Sequence, residues 1–213
     1  MYLPRHFAES RPQVLRDFIA RHPLGLLVTQ NRDGGLDANS VPFFLDEGDD
    51  GSPGVLRAHV ARANPLWTSA RDDVDALVVF QGPQGYVSPA WYPSKAEHGK
   101  VVPTWNYLMA QARGRLRAID DKAWLRAFVT RLTDHHEGRR PAPWAVTDAP
   151  ADFVDATLGA IVGIEIALTS LVGKWKVSQN RSAADRAGVV DGLLREHDDT
   201  ALAAEVSAPG GGA

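Results

Sequence analysis

The chain of 213 residues contains no cysteine. It therefore offers no disulfide framework, no thiolate nucleophile and no cysteine-ligated metal or cluster. This fits a reducing compartment, and a cytoplasmic location is the expectation. Long apolar runs are missing as well. The greasiest stretch, from Ile161 to Val172, is broken by Gly163, Glu165 and Thr169, and no segment approaches the ~18 apolar residues of a membrane span. The opening Met1-Tyr2-Leu3-Pro4-Arg5-His6-Phe7 lacks the apolar core of a secretory leader, so no membrane association is expected. Nor is there an excess of one charge: 23 Lys and Arg face 26 Asp and Glu, for a formal net charge of −3. Dedicated nucleic-acid binders are usually basic, so contact with DNA would need a local patch. No glycine-rich dinucleotide or P-loop motif follows a strand-like segment.

What is present is a core-forming composition, 44% hydrophobic, enough for one domain of generous size. Ser10 and Pro12 predict a helix start. Val14, Leu15, Phe18 and Ile19 form its apolar stripe, and His22-Pro23 ends it. Strands over 24–31 and 36–45 flank Arg32-Asp33-Gly34-Gly35, a strong hairpin signal. An acidic, Gly-rich loop (46–53), a strand (55–60), a short helix (64–71) and a buried strand (74–81) follow. Residues 82–103 read as a long loop dense in Gly, Pro, Trp and Tyr. One or two strands cover 101–119, and Asp120 or Asp121 caps a helix carrying Trp124, Leu125, Phe128, Val129 and Leu132. A Pro-rich linker (139–150), a short helix (153–158), a strand (161–171) and a helix (182–196) complete the domain, with a frayed Ala/Gly-rich end from about Thr200. Closely spaced strands joined by hairpins predict an antiparallel barrel rather than a βαβ sheet.

Four clusters could carry chemistry. In the first, a strand runs through His59 to Arg62 and Asn64 at a helix start. Cationic forks and free N–H groups there suit a phosphate, with His59 as an accessory; alternatively Asn64 only caps the helix and Arg62 is solvated. The second is Tyr86-Val87-Ser88-Pro89-Ala90-Trp91-Tyr92-Pro93-Ser94-Lys95 with Val102-Pro103-Thr104-Trp105-Asn106-Tyr107. Its rings suit a planar ligand or an interface, or they pin the loop itself. Third, in Gly173-Lys174-Trp175-Lys176-Val177-Ser178-Gln179-Asn180-Arg181 alternation puts both lysines on one side of a strand. With Arg181 they could close over a phosphate or an acidic surface, or simply blunt a solvated edge. Fourth, Arg113, Arg115 and Arg117 share one strand face, as a DNA-phosphate stripe or, more commonly, as surface ion pairs. No metal-binding pattern or nucleophilic triad stands out.

The N-terminal segment and the first three clusters resemble the PaiB family. The most specific pieces are Tyr-Val-Ser-Pro-Ala-Trp-Tyr with Pro-Thr-Trp-Asn-Tyr, and Lys-Trp-Lys-Val-Ser-Gln-Asn-Arg. The resemblance implies a β-rich α+β fold: an antiparallel, Greek-key split β-barrel with peripheral helices, forming a single domain over 1–199 before a flexible tail (200–213). It further implies a homodimer that binds FMN in a cleft between subunits. On that template Arg62 and Asn64 meet the FMN phosphate with His59 near them, and Ser40 and Val41 lie near the ring or ribityl chain. Lys174, Gln179 and Arg181 approach the cofactor, while Ser88, Trp91, Tyr92, Trp105 and Asn106 wall the ring or complete the interface. PaiB proteins are negative transcriptional regulators, and two roles follow. One is a flavin-bound regulator contacting DNA or a regulatory protein, although the charge gives DNA no support. The other is an FMN-dependent oxidoreductase of the flavin-reductase or pyridoxamine-phosphate-oxidase kind.

Overall fold

The computed structural model describes residues 1–48 and 52–208. Its clearest local feature is the Asp-Gly hairpin. β1 (Ala8–Glu9) and helix α1 (Pro12–Arg21) precede β2 (Leu24–Gln30) and β3 (Leu36–Pro42), which pair antiparallel from Gln30↔Leu36 to Leu24↔Pro42. Gly34 takes φ +92° in the connecting turn, a conformation that glycine enters without a Cβ penalty. The turn is closed by Asn31 N–H donating to Gly35 O at 2.8 Å.

The chain continues through β4 (Phe44–Asp46), β5 (Val55–Ala61), α2 (Leu66–Ser69), β6 (Asp75–Val87), α3 (Ser94–His98) and β7 (Thr104–Ile119). It ends with α4 (Lys122–Glu137), α5 (Ala151–Gly159), β8 (Ile161–Lys176), α6 (Ala183–His197) and α7 (Thr200–Ser207). The strand order is β3-β2-β6-β7-β8-β5-β4, with β1 added to β8. Two compact units emerge. Unit 1 comprises Met1–His22, Phe80–Gln111 and Leu171 onward; unit 2 comprises Pro23–Val79 and Ala112–Ser170. β6, β7 and β8 each run from one unit into the other. Among the described residues no helix is long and apolar enough to cross a membrane.

In unit 1, Leu15, Phe18 and Ile19 of α1 are fully buried, and the Phe18 ring lies 4.9 Å from that of Trp175. In unit 2, Leu125 of α4 forms a core with Val146, Val154 and Leu158, as the helical spacing requires.

Several elements depart from their sequence expectations. α1 is capped at Arg11 without a side-chain bond. Ser10 is not the cap, because the helix begins at Pro12, a residue favoured at the first helical position, and Arg11 stands immediately before it. Arg11 N–H instead donates to Glu9 Oε1 at 2.9 Å. β6 runs on to Val87, into the stretch expected as loop. Pro83 is tolerated there because it lies past Val79, the last β6 residue registered with β2, so no bond of that ladder is lost. The greatest departure is the C-terminal end. Residues 200–207 form α7 with Leu202, Ala203 and Val206 buried, and the Asp199 carboxylate caps Leu202 N–H at 2.9 Å. Alanine-rich composition suggested fraying, but alanine is also the best helix former. Part of the 46–53 loop and the glycines of the tail fall outside the described residues.

Candidate functional site

Within unit 1, the end of β8 and the turn after it gather three cations. Lys174 is nine-tenths buried. Its ammonium donates to the Tyr2 carbonyl at 3.0 Å and lies 5.5 Å from the ring centroids of Tyr2 and Tyr107. Lys176 Nζ donates to Thr104 Oγ1 at 2.5 Å and to Trp105 O at 2.6 Å. The Arg181 guanidinium sits 4.9 Å over the Tyr92 ring. All these partners are neutral. Burial first, then the charges of Lys174 and Arg181, push the Lys176 ammonium below its ordinary value. Asp185 is the acid that feels Arg181, but its carboxylate accepts from Ser94 N–H at 3.2 Å and Ser94 Oγ at 2.9 Å.

The turn that carries Arg181 is built with care. Ser178 holds φ +62°, a left-handed conformation costing roughly 1 kcal/mol or more for a non-glycine residue. Its Oγ accepts from buried Asn106 Nδ2 at 2.8 Å, and its carbonyl accepts from Arg181 N–H at 2.9 Å. Gln179 folds back on its own strand end, accepting from Val177 N–H at 2.8 Å and donating to Trp175 O at 2.5 Å. On the neighbouring strands, Gln81, Gly82 and Gln84 of β6 and Tyr107, Leu108 and Met109 of β7 line a cavity of about 250 Å³. Trp105 is half exposed beside it, bonded to Gln84 Oε1 at 3.2 Å.

Other expected ligand residues of unit 1 have internal duties. Trp91, expected to wall a ring or an interface, is buried against α6 and donates from Nε1 to Glu196 at 3.0 Å. Gly192 permits this, since a Cβ there would collide with the indole. Ser88 Oγ caps the turn at Ala90 N–H, 3.1 Å away. Tyr92 is buried, and burial lifts its phenol above the ordinary range. The loop is pinned by its own rings at Trp91 and Tyr92, whereas Trp105 remains accessible.

Within unit 2, the Arg62 guanidinium is engaged with Asp120 at 2.9 and 2.5 Å and with Gly159 O at 2.7 Å. Its charge holds the Asp120 carboxyl below the usual range. Asn64 caps Leu66 N–H at 2.9 Å and donates to Asn39 at 3.0 Å. α2 is a single turn, with little helix dipole to offer an anion. Ser40 is exposed and Val41 buried. His59 lies beside Phe128 of α4, ring centroids 6.2 Å apart, and burial keeps its imidazole below the ordinary value.

The fold these elements define is an antiparallel split β-barrel with helices at its periphery. A flavocytochrome from Azotobacter vinelandii shares it at a TM-score of 0.56, with 15% identity over 82% of this chain and 72% of that one. The chain belongs to the family described as "Putative FMN-binding domain", whose model matches residues 1–170. An uncharacterized protein of Aspergillus fumigatus is 34% identical, covering 91% of this chain and 90% of its own. The Bacillus subtilis protease synthase and sporulation protein PAI 2, a PaiB protein, is 28% identical, covering 94% and 93%. The cofactor this family assigns is FMN. The donor set of unit 1 fits that molecule: three cations whose hydrogen bonds and ring contacts are to neutral groups, with Asp185 near Arg181 but bonded to Ser94, suit a phosphate, and an accessible indole suits a planar ring.

In the sequence both lysines, with Arg181, read as phosphate ligands or as a solvated edge, and the family resemblance carried Lys174, Gln179 and Arg181 to the cofactor but not Lys176. Its importance rests on Thr104 and Trp105, seventy residues earlier, so the lysine pair at i, i+2 was the available signal.

Proposed function

We propose that the protein binds FMN as a homodimer and acts as a PaiB-type negative regulator whose state is set by its flavin. The observation that carries the flavin site is the Lys174–Lys176–Arg181 cluster, whose polar contacts are all to neutral groups. A buried cation without an opposite charge is costly, and a bound phosphate removes that cost. Lys174, Lys176 and Arg181 hold the anionic end, Asn106 fixes the turn through Ser178, and Trp105 offers its ring. When bound, the flavin supplies the capacity to accept and donate electrons.

The dimer reading is supported by the outer face of the β2–β3 hairpin. Leu24, Leu26 and Leu36 are 61%, 42% and 73% exposed, and the pairs Leu24↔Pro42, Leu26↔Ser40 and Val28↔Ala38 carry no charge. Such a face is suited to a second copy of itself. The regulatory reading rests on the relationship to the Bacillus protein. The arginine stripe on β7 gives DNA little: Arg115 pairs with Asp75 at 3.2 Å and Arg117 with Glu165 at 2.8 Å. A protein partner is therefore the favoured contact.

The test is a visible spectrum of purified protein with mass measured in solution. Bound flavin released by heat as FMN, on a particle of twice the chain mass, supports the reading. Failure to bind added FMN would sink it. The cavity beside Tyr107 favours a second reading, an FMN-dependent oxidoreductase acting on a small molecule. Turnover of NADH or NADPH with an added acceptor would promote it, and absence of any flavin reduction would dismiss it.

A further inference from the structure

We infer that the groove between α4 and the sheet in unit 2 is a second binding site, for a small aromatic carboxylate. The groove has a volume of about 330 Å³ and is lined by Arg57, Trp124, Ala127, Phe128 and Arg131. Two of its lining residues, Arg57 and Arg131, belong to a ladder of charge. Arg57 pairs with Asp46 and donates from Nε to Glu165 at 2.9 Å, Arg117 reaches Glu165 at 2.8 Å, and Arg131 reaches Asp46 at 2.9 Å. Three guanidinium groups thus divide two carboxylates, and one positive charge is left over. A guanidinium has five N–H donors. Arg131 spends one of them on a side chain among the described residues, and it stacks 4.7 Å over the Phe44 ring. A ligand carboxylate completes this arithmetic by taking unused N–H groups of Arg57 and Arg131.

The walls select an aromatic body for that carboxylate. Trp124 and Phe128 stack at 5.2 Å with 24° between their planes, one helical turn apart on α4. Trp124 rests on the β8 backbone at Gly163, where any Cβ would collide with the ring. The two rings are held before a ligand arrives, which lowers the ordering cost of binding. Ala127 leaves the space between Trp124 and Arg131 open, so a ring can slide against the indole with its acid toward the guanidinium groups. The site is independent of the flavin reading: every residue named here belongs to unit 2, and none is in the lysine cluster.

The experiment is calorimetric titration of the full chain, equilibrated with FMN, using benzoate and, as the uncharged control, benzyl alcohol. The expected result is saturable benzoate binding with a Kd of order 1 mM and benzyl alcohol weaker by about 10-fold or more. Arg131→Ala should weaken benzoate by about 10-fold. Ala127→Glu, at an exposed helix position that does not threaten folding, should do at least as much by filling the groove with a like charge. Flavin uptake, read separately by visible absorbance, should be unchanged in both variants, so loss of the flavin reading leaves this test intact. The proposal is overturned if benzoate shows no saturation up to ~20 mM, if both variants bind it as the wild type does, or if benzyl alcohol binds equally well.

Discussion

On the α4 face Arg57, Arg117 and Arg131 divide two carboxylates among them, whereas at the end of β8 Lys174, Lys176 and Arg181 share none. Both clusters concentrate basic side chains on a partly buried surface, yet they store charge differently. In the first, removing Arg57 takes from two acids the partner they share and leaves each with one arginine; in the second, removing a cation relieves its neighbours. A paired charge supports the fold before any ligand binds, and an unpaired one is a cost until a ligand arrives. The contrast predicts opposite signs for similar substitutions.

The largest effect is expected from Arg57→Met. It takes from Asp46 and Glu165, with side chains 19% and 16% exposed, the partner they share, while Arg131 and Arg117 remain, and should cost about 2 kcal/mol in urea unfolding. A loss below about 1 kcal/mol would mean that the ladder holds little of the fold together. Next, Lys176→Met should lower FMN affinity by about 10- to 100-fold while raising the melting temperature of the flavin-free protein. If both quantities fall together, the lysine is structural and the comparison breaks.

pH should separate the clusters further. Burial works against the Glu165 carboxylate, but hydrogen bonds from Arg57 and Arg117 prevail and hold it below the ordinary range. Its stabilisation is therefore present above the ordinary carboxylate range and is lost as pH falls through the lowered folded value. Lys176 also has a lowered value, so the flavin-free fold binds fewer protons than the unfolded chain over an alkaline window ending near the ordinary lysine range. Stability should rise with pH across that window, and bound FMN or inorganic phosphate should shrink the rise by restoring the proton. Thermal melts of wild type and Lys176→Met, with and without phosphate, would show it; identical slopes in all four would remove the lysine from the account.

The smallest effect is expected from Asp120→Asn. Both side chains of the Arg62–Asp120 pair are substantially exposed, so melting should barely change. If Arg62 serves the flavin phosphate, freeing it should tighten FMN; unchanged affinity would leave Arg62 as a strap between Asp120 and the Gly159 carbonyl.

What could be read in advance was what neighbours in sequence decide. The β2–β3 hairpin followed from Asp33-Gly34 between two apolar runs. α4 followed from the Asp121 cap, which accepts from Trp124 N–H at 2.7 Å, and from its apolar stripe. The family resemblance was legible because its motifs are contiguous. Position in the sheet was not. Pro83 and Gly82 looked like loop punctuation, since local chemistry cannot say that β2 pairing stops at Val79. α7 looked frayed because its burial comes from residues elsewhere in unit 1, including Gly85, whose bare backbone lies against Leu202.

The sequence by itself determined the strand-rich class, the capped helices, the hairpin and the set of candidate basic and aromatic residues, because propensity, capping and alternation act over a few residues. Only the tertiary structure decided which of those residues are spent. It turned Trp91 inward on Gly192, gave Arg62 to Asp120, shared Asp46 and Glu165 among three arginines, and left Lys174, Lys176 and Arg181 with neutral partners. Charge compensation is a property of distance in space, and contacts separated by tens of residues along the chain set it.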